Sequence, residues 1–310
     1  EFKHKGYLEP LEKNVMTEEV RDSFPQKYLE SICEENGHIY SVPFQMDIMM
    51  FWVNQELLKQ AGLDEIKNTG DFDILQKSLK NPDQYAYGDA WENTHVYNSL
   101  SQFVNFWGGD YFDWTDPKTK DAARYMKSML DEKNTSPAQF VDQYEQMEEK
   151  FIRGKYGCVF MYTSALGTFL DADVYGKNKI HMAPLPVLHK KKATNIATWQ
   201  YVLNNASENK DAAVRFLQYA AGYEGSTEYA KIMKSYPARV DVIENEDIDL
   251  EGIDMIRKYL REYTLNARPL CENSMGAVSD MGKLFQGYVL GQCEEDSFFE
   301  QAQNCINTYY

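Results

Sequence analysis

Three stretches of the chain place carboxylate, amide or hydroxyl side chains beside aromatic ones. Carboxylates and amides make paired hydrogen bonds, and flat aromatic rings stack on apolar C–H faces. Such a set suits the binding of a polyhydroxylated ligand such as a sugar, which presents both kinds of surface. The candidate side chains in these stretches are Gln45 and Asp47, then Trp91, Glu92 and Asn93, and then Tyr162 and Ser164.

Trp199 and Arg268 are further candidates outside these stretches. For any one aromatic residue the alternative is packing in a hydrophobic core, and for Asp47 it is a surface position beside a bend. Trp91 is expected to be exposed, because an indole next to an acid and an amide at the start of a helix is poor core material. Trp107 instead lies on the apolar stripe of a predicted helix and is expected to be structural.

The sequence lacks the motifs of common enzymes. It contains neither H-E-x-x-H nor G-x-S-x-G, and Gly276–Lys283 departs from a phosphate-binding loop, since five residues separate its glycines and Leu284 follows the lysine. A glycosidase needs two carboxylates about 5 to 10 Å apart. Asp47 and Glu92 are one conceivable pair, but 48 acidic residues offer many others. We therefore expect no catalysis, no metal and no cofactor.

Composition narrows the class of protein. The 310 residues are enough for two ordinary domains, and 43% hydrophobic with 26% charged residues is typical of a soluble globular protein. A net charge of −16 argues against nucleic acid or anionic membrane as the main partner.

The five cysteines show neither a C-x-x-C pair nor metal spacing, and Cys158 is expected to behave as a small apolar core residue. No apolar run reaches the ~18 residues of a membrane helix.

The elements that must position these candidates begin with the stretch His38–Leu63. Its β-branched and aromatic residues predict a strand, interrupted by Pro43, which implies an edge, a bulge or a change of sheet. Asn54 is placed to cap a helix over Gln55–Ala61, and Gly62 is placed to end it.

Short strands and amphipathic helices alternate over the rest of the chain, which indicates α/β layers. A second strand suited to cross between two domains is predicted over 198–204. Ser207 is expected to cap the helix that follows. The predicted buried face of that helix comprises Ala212, Ala213, Phe216, Leu217 and Ala220.

Motifs that resemble those of a known family extend over most of the chain and are strongest at 38–63, 151–162 and 203–220. Gly37 to Pro43 reads G-x-x-Y-x-V-P, an acid stands four residues after the proline, and Asn54 to Leu63 reads N-x-x-L-L-K-x-A-G-L. A later segment, N-x-A-S-x-N-K-x-A-A-x-x-F-L, ends at Leu217. In their order and spacing these motifs resemble the extracellular solute-binding proteins of ABC importers, family 1, the maltose-binding-protein-like sugar-binding lipoproteins.

The resemblance implies a bilobal fold of the periplasmic-binding-protein type II, with two α/β lobes joined by crossing hinge strands. The implied N-lobe is 1–46 with 203–267, the C-lobe is 47–198 with 269–310, and the hinge crossings lie near 43–48 and 198–203. The opening from Gly6 to Leu11 resembles the linker that follows the family's first βαβ unit. The N-lobe is therefore expected to be incomplete and the export signal to be absent.

For function, the resemblance implies an extracytoplasmic receptor, periplasmic or lipid-anchored, that binds an oligosaccharide as a monomer and delivers it to ABC permease subunits by lobe closure. Asp47 then occupies the position of a ligand-contacting carboxylate, and Tyr162 matches a segment that carries a stacking aromatic. Ala165 and Leu166 stand where the family often has Trp, so the ligand need not be maltose. Two alternatives are a carbohydrate-active hydrolase and a binding scaffold of the same fold that does not serve transport.

Overall fold

The computed structural model describes residues 2–269 and 271–310. A π-helical turn covers Leu29–Cys33 and a 3₁₀ turn covers Pro137–Val141. The α-helices are α1 (Glu18–Arg21), α2 (Gln26–Tyr28), α3 (Gln55–Gln60), α4 (Thr69–Ser78), α5 (Tyr97–Trp107), α6 (Pro117–Asp131), α7 (Tyr144–Ile152), α8 (Ala165–Asp171), α9 (Lys210–Ala221), α10 (Tyr223–Met233), α11 (Val240–Ile243), α12 (Ile253–Glu262), α13 (Ser274–Val289) and α14 (Glu295–Tyr309).

Short strands alternate with these helices, which confirms the predicted α/β class. The strands are β1 (Glu34–Glu35), β2 (His38–Ile39), β3 (Ser41–Asn54), β4 (Tyr85–Gly88), β5 (Tyr156–Tyr162), β6 (Ile180–Ala183), β7 (Ala193–Val202) and β8 (Thr264–Asn266).

The chain forms two compact units, each made of two segments. Unit 1 comprises Glu1–Ile48 and Ile196–Glu272, and unit 2 comprises Met49–Asn195 and Asn273–Tyr310. Two of the boundaries fall inside β3 and β7, so these two strands carry the chain from one unit to the other. The assignment of the units to an N-lobe and a C-lobe, with the hinge ranges given above, stays a prediction.

In unit 1, the first half of β3 pairs antiparallel with β7, from Ser41 opposite Val202 to Ile48 opposite Ile196. The register shifts between Pro43 and Gln45, because proline has no N–H to donate to the ladder. This confirms the predicted irregularity at Pro43. β8 pairs with β7 on its other side.

The helix that follows β7 differs from its prediction. α9 begins at Lys210 rather than after Ser207, and the Ser207 hydroxyl instead accepts a bond from the Asn209 N–H at 3.3 Å in the preceding turn. The predicted buried face is also wrong in part. Leu217 is buried, whereas Phe216 is 53% exposed and packs edge-on against Tyr201 with ring centres 5.2 Å apart.

β7 starts five residues before its predicted beginning at Thr198. The first residues of β7 form hydrogen bonds within unit 2. The Thr194 hydroxyl donates to the Met49 carbonyl at 2.6 Å. The Asn195 N–H donates to the Gln102 side chain at 2.8 Å. These partners are distant in sequence, which is why local propensity placed the strand start too late.

In unit 2, β5 lies between two strands. It pairs antiparallel with the second half of β3 and parallel with β4, and β6 pairs with the other side of β3. Aromatic rings fill the core, where Trp52 is fully buried and donates to the Met161 carbonyl at 3.0 Å. Cys158 is fully buried in β5, which confirms its predicted role in the core.

Several predicted helix ends are confirmed. The Asn54 side chain accepts from the Leu57 N–H at 3.2 Å, and Gly62 has a φ of +72°, which favours glycine. The predicted structural role of Trp107 is confirmed too. It is 7% exposed and its ring stacks parallel on His189, with ring centres 4.8 Å apart.

Candidate functional site

In unit 1, β3 and β7 place three of the predicted residues on one face. Gln45 and Asp47 lie two residues apart in β3 and therefore point to the same side of the strand. In the ladder Gln45 pairs with Trp199 and Asp47 pairs with Ala197. Cross-strand partners share a face. Gln45, Asp47 and Trp199 therefore form the candidate face of unit 1.

Asp47 is buried in this face, with 5% of its surface exposed. Tyr28 of α2 donates its hydroxyl to the carbonyl of Ala197, the residue opposite Asp47, at 3.2 Å. Burial raises the pKa of Tyr28, and the nearby charges of Cys33 and Asp47 raise it further. The phenol therefore stays protonated and keeps its role as a donor near the carboxylate.

Gln45 and Trp199 differ from Asp47 in exposure. The Gln45 side-chain oxygen accepts a 2.5 Å hydrogen bond from the Tyr229 hydroxyl, so the amide is held in one orientation. Its amide nitrogen donates to no residue that the structure describes, which leaves it available to a ligand. Trp199 is 60% exposed. An exposed indole beside an oriented amide is the combination that stacks on and hydrogen-bonds to a sugar.

In unit 2, the expectation that Trp91 is exposed is wrong. The indole is fully buried, and its Nε1 donates to the Asp89 carboxylate at 2.7 Å. Phe140 and Phe285 contact the ring edge-on, with ring centres 5.4 and 5.5 Å away. The indole can be buried because the Asp89 carboxylate accepts a hydrogen bond from its N–H. Trp91 therefore presents no surface to a ligand in this structure.

Asp89 is a buried acid that the sequence reasoning missed. Its carboxylate accepts from the Tyr87 hydroxyl at 2.8 Å and from the Ala90 N–H at 2.8 Å, in addition to Trp91. Burial raises the pKa of Asp89 to about 6, and these hydrogen bonds only partly oppose that effect. An acid at the end of an apolar strand was the signal that could have revealed it.

Glu92 lies three residues further on, in the turn before α5. One of its oxygens, Oε2, accepts from the Thr94 N–H at 2.9 Å, from the Thr94 hydroxyl at 2.5 Å and from His95 at 3.1 Å. Burial alone would raise the pKa of Glu92, but the bonds from Thr94 and His95 outweigh it and lower the pKa. Its other oxygen, Oε1, accepts from none of the described residues, so a charged acceptor remains for a ligand.

Asn93 contributes mainly to the position of this turn. Its amide nitrogen donates to the Ser279 hydroxyl of α13 at 2.8 Å. Its backbone lies against Gly282, where an added Cβ would come within 2.0 Å of the Asn93 carbonyl oxygen. Glycine at 282 therefore allows α13 to hold the turn that carries Glu92.

Tyr162 is connected to Glu92 through His95 and through Tyr144, which the sequence reasoning did not select. The Tyr162 hydroxyl donates weakly to the Asn98 side chain at 3.4 Å. Tyr144 of α7 contacts Tyr162 on one side and His95 on the other, both edge-on, with ring centres 6.3 and 5.6 Å away. Glu92, His95, Tyr144 and Tyr162 therefore form one acid–aromatic cluster within unit 2.

The last two predicted residues lie at the ends of elements. Arg268 follows β8 in unit 1 and is partly exposed, and Ser164 precedes α8 in unit 2 and is exposed. Residues at such positions are accessible while the adjoining elements hold the backbone in place.

Two further features bear on the class of site. In the part of the chain that the structure describes, no group of three or more His, Cys, Asp or Glu side chains is arranged to hold a metal ion. None of the described helices is both long enough and apolar enough to cross a membrane.

Comparison with known proteins establishes the family. Residues 1–227 match the bacterial extracellular solute-binding proteins, so the chain belongs to that family. The resemblance seen in the motifs is thereby confirmed.

Two curated relatives match at low identity. A probable amino-acid ABC transporter periplasmic-binding protein of Sinorhizobium fredii is 24% identical over 239 residues, which cover 73% of this chain and 54% of that protein. The arabinooligosaccharide-binding protein of Bacillus subtilis is 23% identical over 248 residues, which cover 75% of this chain and 56% of that protein. The aligned region thus spans about half the length of these curated relatives.

The fold also matches solved structures. An ABC transporter solute-binding protein of Thermotoga lettingae, bound with α-D-tagatose, superposes with a TM-score of 0.85 at 18% identity, covering 99% of this chain and 81% of that one. The maltose-bound MalE3 protein of T. maritima gives a TM-score of 0.81 at 16% identity, covering 98% and 81%. These matches confirm the type II periplasmic-binding fold.

Proposed function

We propose that this chain is a receptor that binds an oligosaccharide outside the cytoplasm and delivers it to an ABC permease. Membership of the solute-binding family is the observation that carries this proposal. The two curated relatives described above are named as binding proteins. The receptor acts by selective binding without catalysis, as a monomer that is either periplasmic or lipid-anchored.

The residues that we assign to ligand binding follow from the two clusters. In unit 1 they are Gln45, Asp47 and Trp199, and Arg268 is kept from the sequence prediction. In unit 2 they are Glu92 and Tyr162, with His95 and Tyr144 added and Ser164 kept from the sequence prediction. Each cluster combines an acid with aromatic rings, which is the set that recognises hydroxyl groups and C–H faces together.

We further propose that the two lobes close around the ligand by movement about the crossing strands. We assign the N-lobe to 1–46 with 203–267 and the C-lobe to 47–198 with 269–310, with hinges near 43–48 and 198–203. Ligand binding stabilises a closed state over an open one by the difference in its affinity for the two. The permease would recognise the closed state.

One specific observation favours a different ligand class. The Sinorhizobium fredii relative is named as an amino-acid binding protein. Its identity to this chain is about the same as that of the arabinooligosaccharide-binding relative. Amino acids are therefore the second candidate ligands.

The test is a thermal-shift screen with arabinotriose, maltotriose, glutamate and lysine as probes. A ligand that binds only the folded state raises the melting temperature with its concentration. We expect a saturable rise with a trisaccharide and none with either amino acid. A rise with an amino acid alone would replace the sugar assignment, and no rise with any probe would contradict the receptor proposal for this chain.

A further inference from the structure

Glu92 of unit 2 carries a negative charge for which the described part of the chain supplies no lysine or arginine partner. Among the residues that the structure describes, its one ion-pair partner is His95, at 3.1 Å. His95 bonds to the oxygen Oε2, so Oε1 remains for a ligand. Partial burial raises the pKa of Glu92, but hydrogen bonds from Thr94 and His95 outweigh it and lower the pKa. The carboxyl group is therefore ionised at neutral pH.

The elements around Glu92 contain few permanent positive charges. Its own turn, α5 and β5 contain no Lys or Arg. α7 contains one, Lys150, which is paired with Asp142. α13, which holds the turn in place, also contains one, Lys283, and it pairs with Asp280 at 3.1 Å. Both lysines are therefore committed to other acids, and the charge of Glu92 favours a cation from outside the chain.

The backbone that carries Glu92 is fixed, so its charge is positioned before a ligand arrives. The Glu92 N–H donates to the Asp142 carbonyl at 3.1 Å. The Asn93 side chain donates to the Ser279 hydroxyl of α13 at 2.8 Å. Thr94 donates to Glu92 Oε2 through its N–H at 2.9 Å and its hydroxyl at 2.5 Å. A preorganised group loses less conformational freedom on binding than a mobile one.

Two tyrosine rings of the acid–aromatic cluster add a second attraction for a cation. The rings of Tyr144 and Tyr162 have their centres 6.3 Å apart and are nearly perpendicular, at 84°. Both residues are partly exposed, and Tyr144 also meets His95, at 78°. The face of an aromatic ring attracts a cation within about 6 Å of its centre, and aromatic cages for ammonium groups are built from several such rings.

A hydroxyl group and an ammonium group can both donate to Glu92 Oε1, but they differ in charge. An ammonium group adds the attraction of opposite charges to the hydrogen bond. Taking a carboxylate out of water is costly, and a cation that accompanies it reduces the cost. The cluster therefore favours the ammonium group over a hydroxyl group.

Building on the proposed receptor function, we propose that the acid–aromatic cluster of unit 2 binds a protonated amine, so that the preferred ligand is a sugar that bears an ammonium group. Glu92 Oε1 accepts a hydrogen bond from the ammonium group, and the faces of Tyr144 and Tyr162 contact its positive charge. An amino acid also carries a carboxylate, which Glu92 repels. An amino sugar therefore suits this cluster better than an amino acid does.

The test measures affinities for a matched pair of sugars by ligand-observed NMR titration at pH 7, with maltotriose titrated alongside. 6-Amino-6-deoxyglucose differs from glucose only in an amine, protonated at this pH, in place of one hydroxyl group. Glu92→Gln removes the charge of the cluster. Glu56→Gln removes the same charge and is the control, because Glu56 is an exposed residue of α3 in unit 2 and outside the cluster. Circular dichroism checks the fold of both variants.

We expect the parent and Glu56→Gln to bind the amino sugar about tenfold more tightly than glucose, and Glu92→Gln to bind the two sugars alike. The preference of the parent should also fall as salt is added. If Glu92→Gln does not fold, the preference of the parent and its salt dependence carry the test.

The outcomes separate this site from the receptor function. Binding of maltotriose by the parent, without a preference for the amino sugar over glucose, would overturn the ammonium site while the receptor function stands. A preference that Glu92→Gln retains, or that Glu56→Gln loses equally, would also overturn it. No binding of any of the three sugars would overturn both the ammonium site and the oligosaccharide assignment.

Discussion

Two acids three residues apart, Asp89 and Glu92, have opposite environments. Asp89 directly follows β4 inside the core of unit 2, where burial raises its pKa to about 6. Glu92 lies in the next turn, where hydrogen bonds from Thr94 and His95 overcome the effect of partial burial and lower its pKa. Asp89 is buried and accepts hydrogen bonds from Tyr87, Ala90 and Trp91. Glu92 keeps one oxygen that accepts from no described residue.

The difference shows that neighbouring residues of one short stretch, Asp89 to Glu92, have separate roles in stability and in binding. Asp89 and Trp91 satisfy each other inside the core and fix the end of β4, whereas Glu92 turns outward on the backbone that they hold. The acid that stabilises the unit and the acid that we assign to the ligand are therefore different residues. The predictions below separate these two roles.

The largest effect is expected from Asp89→Ala. The substitution leaves the Tyr87 hydroxyl and the Trp91 indole N–H buried without their acceptor, which should cost about 3 kcal/mol of folding free energy. Urea denaturation at pH 4 measures it, because the raised pKa of Asp89 keeps its stabilising contribution at that pH. Glu92→Ala is the matched variant and should change stability by no more than about 1 kcal/mol, so equal losses would contradict the division of roles.

The pH dependence of stability should have opposite signs for the two acids. The raised pKa of Asp89 means that its protonated form stabilises the fold below about pH 4, and this contribution is lost as the pH rises to about 6. The lowered pKa of Glu92 means that its charged form contributes stability above about pH 4.5, and this is lost as the pH falls.

Melting curves from pH 3.5 to 7 test this difference. Relative to the parent, Asp89→Asn should become more stable as the pH rises from 4 to 6, by up to about 3 kcal/mol. Glu92→Gln should become less stable relative to the parent as the pH rises through about 4. Parallel curves for Asp89→Asn and the parent would show that Asp89 does not titrate as described.

Affinity for the trisaccharide should depend on Glu92 and not on Trp91. We expect Glu92→Gln to weaken trisaccharide binding about tenfold, because a charged acceptor is lost. Trp91→Phe should lower stability, since it removes the donor to Asp89, and leave affinity within about threefold. Titration calorimetry on both variants measures the two affinities. A larger loss of affinity in Trp91→Phe than in Glu92→Gln would show that Trp91, and not Glu92, belongs to the binding site.

The smallest effect is expected at the Tyr162 hydroxyl. Its bond to Asn98 is long, at 3.4 Å, so the loss of this bond in Tyr162→Phe should cost less than about 0.5 kcal/mol and change affinity little. Tyr162→Ala removes the stacking ring and should weaken binding about tenfold. If both variants bind equally well, Tyr162 is a core residue and not a binding residue.

Local chemistry predicted the parts of the fold that depend on neighbouring residues. The Asn54 cap, the left-handed Gly62 and the bulge at Pro43 all follow from side chains within a few positions. The start of β7 and the outward position of Phe216 could not be predicted in this way, because they depend on partners such as Met49, far away in sequence.

The candidate site was predicted only in part, because it also depends on contacts between residues that are distant in the sequence. Glu92 and Tyr162 were both selected from the sequence, but the residue that links them, Tyr144, comes from a helix between them. Trp91 was misjudged because Phe140 and Phe285, which bury it, lie about 50 and 190 positions away in the chain. Short motifs locate candidate residues, and tertiary contacts decide which of them face a ligand.

The most direct test of the central claim is a fluorescence titration of the parent with arabinotriose and maltotriose, followed by mass spectrometry of the recovered sugar. Trp52, Trp91, Trp107 and Trp114 are buried, so Trp199, at 60% exposure, is the natural reporter. We predict a saturable change that is lost in Trp199→Phe, with the trisaccharide recovered intact. A shortened sugar would identify a hydrolase and contradict the receptor function, and the absence of saturable binding to both trisaccharides would contradict the oligosaccharide assignment.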